Sequence, residues 1–278
     1  MTNSDTSPLI SVVMPTLNGE KYIRDALYSV CHQSYKNFEL LVCDAGSTDS
    51  TLEIVEDLKD PRVKIVSRSD KNLPDGINKG FSSAKGKILA WLNCDDMYLH
   101  PDALSLVVQD FEKSPIDYLV ALCGMVSNNG DLYRVLLPWI VPKPWRFKGH
   151  SNVFTGALFF SSNTWREFGG FSTLHTLAFE YELLKFLMDT PKKGMVESKF
   201  PVAGFRIRPD SLSGSNAEKM RSQLQDVLGV SFDHPITLKH QLVRLLSYLT
   251  AGQLRPLLAV RKLNRQLPAP WHLSYSKK

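Results

Sequence analysis

The sequence predicts an α/β fold with a mostly parallel central sheet flanked by helices. Short β-rich runs alternate with segments of helical periodicity over roughly the first hundred residues, and parallel strands need such crossover helices. The chain has 278 residues and 43% hydrophobic content, which is enough to bury one large core. Polar, acid-bearing loops follow several of the runs, at the sheet edge where ligands usually bind.

Apolar patterning assigns the elements one by one. Buried parallel strands read as short apolar runs, and such runs occur at residues 10–14, 38–43, 63–66, 88–92 and 118–126. Between the first two, apolar residues recur at helical spacing over residues 22–30. The capping box Ser50-x-x-Glu53 marks the start of a second helix, residues 75–84 form a third, and Pro101 opens a fourth.

Composition argues against several classes of protein. The four cysteines, Cys31, Cys43, Cys94 and Cys123, lie far apart without a CxxC pair, unlike those of a zinc knuckle or a disulfide-stapled secreted fold. The sequence has neither a long apolar run nor a signal-peptide pattern, so we expect the protein to stay in the cytosol. The motifs GxGxxG, GxxxxGK(S/T) and HExxH are absent, which argues against dinucleotide oxidoreductases, P-loop NTPases and zincin proteases.

Three acid-bearing loops lie just after predicted strands. They are Asp44-Ala-Gly-Ser-Thr-Asp49, Asp75-x-x-Asn78-x-Gly80 and Asn93-x-Asp95-Asp96. Any one of them reads most simply as a solvated turn, because Asp and Asn favour turns and helix caps. Three such loops at the same edge of one sheet indicate a binding site.

Together with Ser11-Val-Val-Met-Pro-Thr-Leu-Asn18, these loops resemble the inverting family 2 glycosyltransferases of bacterial surface-polysaccharide biosynthesis. The resemblance covers residues 8–213 and implies a GT-A fold with a Rossmann-like sheet and a nucleotide-sugar donor. It implies that Asp95 holds Mn²⁺ or Mg²⁺, which would neutralise the leaving diphosphate. Asp96 is expected either to add charge as a second metal-binding residue or to fix the loop. The donor-binding residues implied here are Pro15, Thr16, Asn18, Glu20, Asp44, Asp75, Asn78 and Asn93.

Two positions depart from the family pattern. Asn93 stands where an acid is usual; its amide can hydrogen-bond a ribose or sugar hydroxyl but brings no charge. Arg208 stands near the place of a histidine that can complete the metal shell, and arginine does not ligate cations. We predict that Arg206 and Arg208 bind the donor's pyrophosphate bidentately, the alternative being two solvated surface arginines.

The general base is expected at the start of a helix within residues 178–183, because the family has an acidic residue there. Inverting transfer needs a carboxylate that takes the proton of the acceptor hydroxyl. Glu180 and Glu182 point about 200° apart on a helix, so only one can face the site. Motif alignment favours Glu180, with Glu182 as the second candidate and a solvated helix face as the alternative. His150 is a further candidate for a sugar contact, against a packing role.

The positive charge of the chain is concentrated in its C-terminal tail. The net charge is +5, yet residues 236–278 contain eight Lys or Arg and no acid, which leaves −3 for residues 1–235. Five leucines of this tail share one stripe of a helical wheel: Leu238, Leu242, Leu245, Leu246 and Leu249. We expect the tail to bind an anionic membrane surface, or else to pack on the catalytic domain or on the second subunit of a homodimer.

Four regions are expected: a disordered N-terminus (1–8), a nucleotide-sugar-binding half (9–100), an acceptor-binding half of the same domain (101–215) and a helical basic tail (216–278). The expected function is transfer of a sugar from a UDP-type donor to a hydroxyl of a glycan or lipid-linked acceptor. This would occur in the cytoplasm at the inner face of the plasma membrane, without a nucleic-acid partner. The alternatives are a nucleotidyltransferase of related fold, whose glycine-rich, lysine-containing signature is absent, and a non-catalytic nucleotide-sugar-binding subunit.

Overall fold

The computed structural model describes residues 8–136, 138, 153–208 and 216–228. The predictions for His150 and for the tail 236–278 lie outside these residues. No helix within the described ranges is both long and apolar enough to cross a bilayer.

The first half of the chain forms four parallel strands in the order β3-β2-β1-β4. These strands are β1 (Ile10–Thr16), β2 (Phe38–Asp44), β3 (Val63–Ser67) and β4 (Ile88–Trp91). The helices between them are α1 (Ile23–Cys31), α2 (Thr51–Asp57) and α3 (Leu73–Ser83). The strands and helices predicted from apolar patterning are therefore confirmed in this half.

The second half extends the same sheet in the order β4-β8-β6-β9-β5, with β7 paired to β6. Its strands are β5 (Met97–Tyr98), β6 (Tyr118–Val126), β7 (Leu132–Leu136), β8 (Leu158–Ser161) and β9 (Gly194–Arg206). Its helices are α4 (Ala103–Lys113), α5 (Ser162–Phe168), α6 (Glu180–Asp189) and α7 (Ala217–Leu228), and a 3₁₀ turn spans Thr155–Ala157. Strand β8 runs antiparallel to both neighbours, whereas β6 and β9 are parallel.

Two helix starts differ in detail from the sequence prediction. Ser50 makes no side-chain cap for α2; instead Asp49 Oδ1 accepts the Thr51 amide hydrogen bond at 3.0 Å. The capping-box prediction was therefore wrong, although the helix begins where it placed the start. Helix α3 begins two residues before the predicted position, because the Asn72 side chain accepts from the amide of Asp75 and so caps an earlier turn.

The core lies on both faces of the sheet. Alternate residues of each strand point to opposite faces, so Val12 and Leu40 pack under α1 and α4, while Val13 and Leu41 pack under α3, α5 and α6. The second face is rich in aromatic rings, and Trp165 packs among them. The aromatic cluster consists of Phe81, Trp91, Phe160, Trp165, Phe168, Phe171 and Phe179.

Candidate active site

The first two polar loops follow β1 and β2 and are joined by hydrogen bonds. Pro15 pairs with Cys43 in the ladder between these strands, and Thr16 O accepts from the amide of Ala45 at 2.9 Å. Asn18, in the left-handed region at φ 49°, accepts from the amide of Thr48 at 2.9 Å. These contacts hold the two loops together as one surface at the carboxyl edge of the sheet.

Acidic side chains complete the junction between these loops. Glu20 Oε2 accepts from the amide of Ser50 at 3.0 Å. Asp44 is fully buried, and its Oδ1 accepts from the amides of Gly46 and Ser47, both at 2.8 Å. The Ser47 hydroxyl donates to the other oxygen of Asp44. Asp44 therefore sets the shape of the loop in which it lies, and its contact with the nucleotide-sugar donor stays a prediction.

Asp75 and Asn78 lie on α3, and both have partners within the protein. The pKa of Asp75 is lowered by the Lys71 amide and by the Lys79 ammonium, which lies 2.9 Å from its carboxylate. The amide of Asn78 donates to Phe171 O and accepts from Phe171 N, each at 2.9 Å. The Asn78 side chain thus joins α3 to the segment that follows α5, which is a structural role in addition to the predicted donor contact.

The third loop follows β4 and is held by the side chain of Asn93. The indole of Trp91 donates to Asn93 Oδ1 at 2.8 Å, and Asn93 Nδ2 donates to Asp96 Oδ2 at 3.1 Å. Asp96 is almost fully buried and also accepts from the amide of Arg206 at 3.0 Å. Burial and the neighbouring charge of Asp95 raise the pKa of Asp96 to about 8. These contacts favour a role for Asp96 in fixing the loop over the predicted role as a metal ligand.

Asp95 is the acid of this loop that reaches solvent. Its side chain is 18% exposed, and its Oδ2 accepts from Arg208 Nε at 2.8 Å. Within the described parts of the chain, no group of three or more His, Cys, Asp or Glu is placed to hold a metal ion. One accessible carboxylate nevertheless fits Mg²⁺-type binding, in which one or two carboxylates are supplemented by substrate phosphates and water.

The two arginines near the end of β9 have different environments. Arg206 is 2% exposed, and its side chain donates to Asp95 O, Asn128 O and Asp25 Oδ2 at 2.7–3.0 Å. Its guanidinium also lies 4.9 Å from the centroid of the Tyr22 ring. These contacts correct the prediction for Arg206: it is a structural residue, neither a solvated arginine nor one placed to bind pyrophosphate.

Tyr22, Asp25 and Asn128 were not predicted as part of this region. The Tyr22 hydroxyl donates to Asn128 Oδ1 at 2.6 Å. Tyr22 therefore contacts both the loop after β6, through its hydroxyl, and the two arginines, through its ring. The helical spacing placed Tyr22 on α1 but gave no signal for its ring partners. Asn128 follows β6, and nothing in the local sequence connects it with β9.

Glu180 is the first residue of α6 and lies beside the aromatic cluster. The preceding residue, Phe179, stacks on Trp91 with ring centroids 5.2 Å apart and meets Phe171 edge-on at 5.0 Å. Burial raises the pKa of Glu180 to about 7. A carboxyl that titrates near neutral pH is suited to general acid–base catalysis.

Glu182 has structural partners. Its carboxylate accepts from the amide of Ser172 at 2.8 Å and lies 2.6 Å from His175 Nδ1. The other ring nitrogen of His175 lies 2.9 Å from Asp226 on α7. Although partial burial acts in the opposite direction, the hydrogen bonds to Asp226 and Glu182 raise the pKa of His175. Among the residues that the structure describes, Glu182 has a histidine partner of this kind and Glu180 has none.

Comparison with known proteins decides the family. The profile of glycosyl transferase family 2 matches residues 11–167, which is more than half of the chain. The chain belongs to glycosyl transferase family 2. It is therefore a glycosyltransferase, and the nucleotidyltransferase alternative loses its support.

Curated relatives of this glycosyltransferase include enzymes of polysaccharide assembly. It is 26% identical to the Escherichia coli UDP-Glc:alpha-D-GlcNAc-diphosphoundecaprenol beta-1,3-glucosyltransferase WfgD, over 88% of this chain and 93% of that protein. It is 37% identical to a chondroitin synthase of Pasteurella multocida over 38% of this chain, but the match covers 11% of that synthase.

Solved structures show the fold of this glycosyltransferase. S. aureus TarS in complex with UDP-GlcNAc has a TM-score of 0.61 at 18% identity, covering 92% of this chain and 82% of that one. The Pyrobaculum calidifontis mannosyltransferase PcManGT with GDP-Man and Mn²⁺ has a TM-score of 0.59 at 17% identity, covering 93% and 74%. The predicted GT-A fold is thereby confirmed.

Proposed function

We propose that this glycosyltransferase moves a sugar from a UDP-linked donor to a hydroxyl of a lipid-linked glycan, with inversion at the anomeric carbon. The observation that carries the proposal is the carboxyl of Glu180, whose pKa is raised to about 7 by burial. The preceding residue, Phe179, stacks on Trp91, and the Trp91 indole donates to Asn93 in the loop that contains Asp95. A base and a diphosphate-binding loop in one neighbourhood are what direct displacement requires.

The donor class is supported by the comparisons. WfgD is named for UDP-Glc, and the TarS complex contains UDP-GlcNAc. In this chain, the joined loops after β1 and β2 offer the nucleoside a surface that includes Asn18 and Glu20, both exposed. Backbone and side-chain polar groups at the carboxyl edge of such a sheet are suited to a nucleotide.

The chemistry proposed for the chain is a single displacement. Glu180 accepts the proton of the acceptor hydroxyl while that oxygen attacks the anomeric carbon from the face opposite the leaving UDP. Asp95 would hold Mn²⁺ or Mg²⁺, which when bound supplies positive charge to the diphosphate. Arg208, beside Asp95, adds a guanidinium that matches phosphate oxygens in geometry.

A lipid-linked acceptor and a membrane location belong to the same proposal. The name of WfgD specifies an acceptor built on diphosphoundecaprenol. The sequence of residues 236–278 is basic, with eight cations and no acid, as in segments attracted to anionic leaflets. We propose that the enzyme acts in the cytoplasm, peripherally at the inner face of the plasma membrane.

A non-catalytic nucleotide-sugar-binding subunit is the second candidate, favoured by the commitment of Asp95 to Arg208 and of Asn93 to Asp96. To separate the two, the enzyme is incubated with Mn²⁺, UDP-glucose or UDP-GlcNAc, and a GlcNAc-diphospho-lipid acceptor. The product is analysed by mass spectrometry, and its anomeric configuration by NMR. A β-linked product from the α-configured donor is expected. An α-linked product would contradict inversion, and UDP binding without transfer or hydrolysis would favour the subunit.

A further inference from the structure

Arg208 lies between the ring of Tyr22 and the carboxylate of Asp95. Its Nε is 2.8 Å from Asp95 Oδ2, and its guanidinium carbon is 5.4 Å from the centroid of the Tyr22 ring. The side chain is 23% exposed, whereas that of Arg206 on the same ring is 1% exposed. Arg208 is therefore the arginine of this pair that can exchange its partner without opening the core.

We propose that Arg208 makes cation binding at Asp95 depend on a bound diphosphate. This inference rests on the proposed function and concerns how cation binding is regulated in the donor site. Without nucleotide, the guanidinium occupies the Asp95 oxygen that faces it and repels an arriving dication. When a diphosphate is present, its oxygens offer the guanidinium a bidentate partner, and Asp95 becomes available to the cation.

The expected size of the effect follows from Coulomb's law. A dication and a unit cation about 6 Å apart repel each other even at the dielectric constant of bulk water, and this repulsion lowers the affinity for the dication about tenfold. Both side chains are partly buried, where the effective dielectric constant is lower than that of water, so this tenfold effect is a lower limit. The same guanidinium attracts a diphosphate by a comparable factor, so removing its charge should change the two affinities in opposite directions. A purely structural role would weaken both.

The test measures binding and needs no transfer activity. Mn²⁺ is titrated into the full chain with and without UDP, with free Mn²⁺ followed by EPR and UDP binding by calorimetry. For Arg208→Gln we expect about tenfold tighter Mn²⁺ binding without nucleotide and about tenfold weaker UDP binding without metal. Arg208→Lys keeps the charge and should leave the Mn²⁺ affinity near that of the wild type. The matched control is Arg68→Gln, which removes an exposed arginine paired with Glu56.

Unchanged or weaker Mn²⁺ binding by Arg208→Gln, relative to the wild type, would overturn the inference. Equal tightening in Arg68→Gln would also overturn it, because the effect would then be one of net charge. Thermal unfolding of each variant verifies that it is folded. Failure of the wild type to bind UDP with Mn²⁺ would instead refute the proposed donor, while the titration with Mn²⁺ alone would still decide the competition at Asp95.

Discussion

Replacing Glu180 by glutamine should slow transfer and, at the same time, stabilise the fold. The amide cannot take a proton from the acceptor, and general-base catalysis contributes about two to four orders of magnitude to a rate. Glutamine also has no charge to desolvate. Because burial raises the pKa of Glu180 from 4.5 to about 7, its ionisation in the folded protein costs on the order of 3 kcal/mol at most. The variant avoids this cost.

The gain in stability should depend on pH. Folding raises the pKa of this carboxyl, so the folded state binds the proton more tightly, and the wild type loses stability as pH rises from 4.5 to about 7. The free energy of unfolding of the variant should match that of the wild type at the lower end of this pH interval and exceed it above the upper end. Urea unfolding at about pH 5 and about pH 8 measures the difference, and transfer of labelled sugar measures the rate.

Glu182→Gln is the matched control, two residues along the same helix. It weakens the contacts to Ser172 and His175, so it should cost about 1 kcal/mol of stability while transfer persists. If Glu182→Gln abolished transfer and Glu180→Gln did not, the assignment of the base would be reversed. A Glu180→Gln variant no more stable than the wild type at the higher pH would refute the argument from burial.

Three further changes test other parts of the site. Asp95→Asn should abolish Mn²⁺-dependent UDP binding in calorimetry with unchanged thermal unfolding, and retained dependence would remove Asp95 from the metal site. His175→Gln should destabilise the protein most below pH 6.5, with the difference from the wild type fading as pH rises through the raised pKa of the histidine; a pH-independent difference in urea unfolding would contradict this. Deleting residues 236–278 should reduce the amount of protein that sediments with anionic vesicles, and high salt should release the full-length chain from the same vesicles. A change of oligomeric state on deletion would indicate that the tail packs within the protein instead.

The parallel half of the fold was predictable because its signals are local. Strands such as β1 and β2 are buried on both faces and read as continuous apolar runs, and the helices between them show their own periodicity. The insertion of β8 between β4 and β6 was not predictable in this way. That pairing depends on contacts about 40 to 70 residues apart in sequence, which no local pattern encodes.

The candidate site was predictable in its location more than in its contacts. Residue type and spacing placed Arg206 and Arg208 together, and the structure sets both against Tyr22, as expected for alternate positions of extended chain. Their different burial follows from the end of β9 at Arg206, beyond which Arg208 approaches the partly exposed Asp95. Sequence alone carries no information about which of two like charges lies inside.

The asparagine at position 93 illustrates how a departure from a family pattern can be structurally consistent. Its amide accepts from Trp91 and donates to Asp96, and only a group with both an acceptor and a donor can do so. An ionised carboxylate at this position could keep the first bond, but it has no N–H group to donate to Asp96. Since Trp91 also stacks on Phe179, next to Glu180, the amide links the loop of Asp95 to the helix of the proposed base. Asparagine at position 93 thus brings no negative charge, but its hydrogen bonds join the loop of the proposed metal ligand Asp95 to the residues beside the proposed base Glu180.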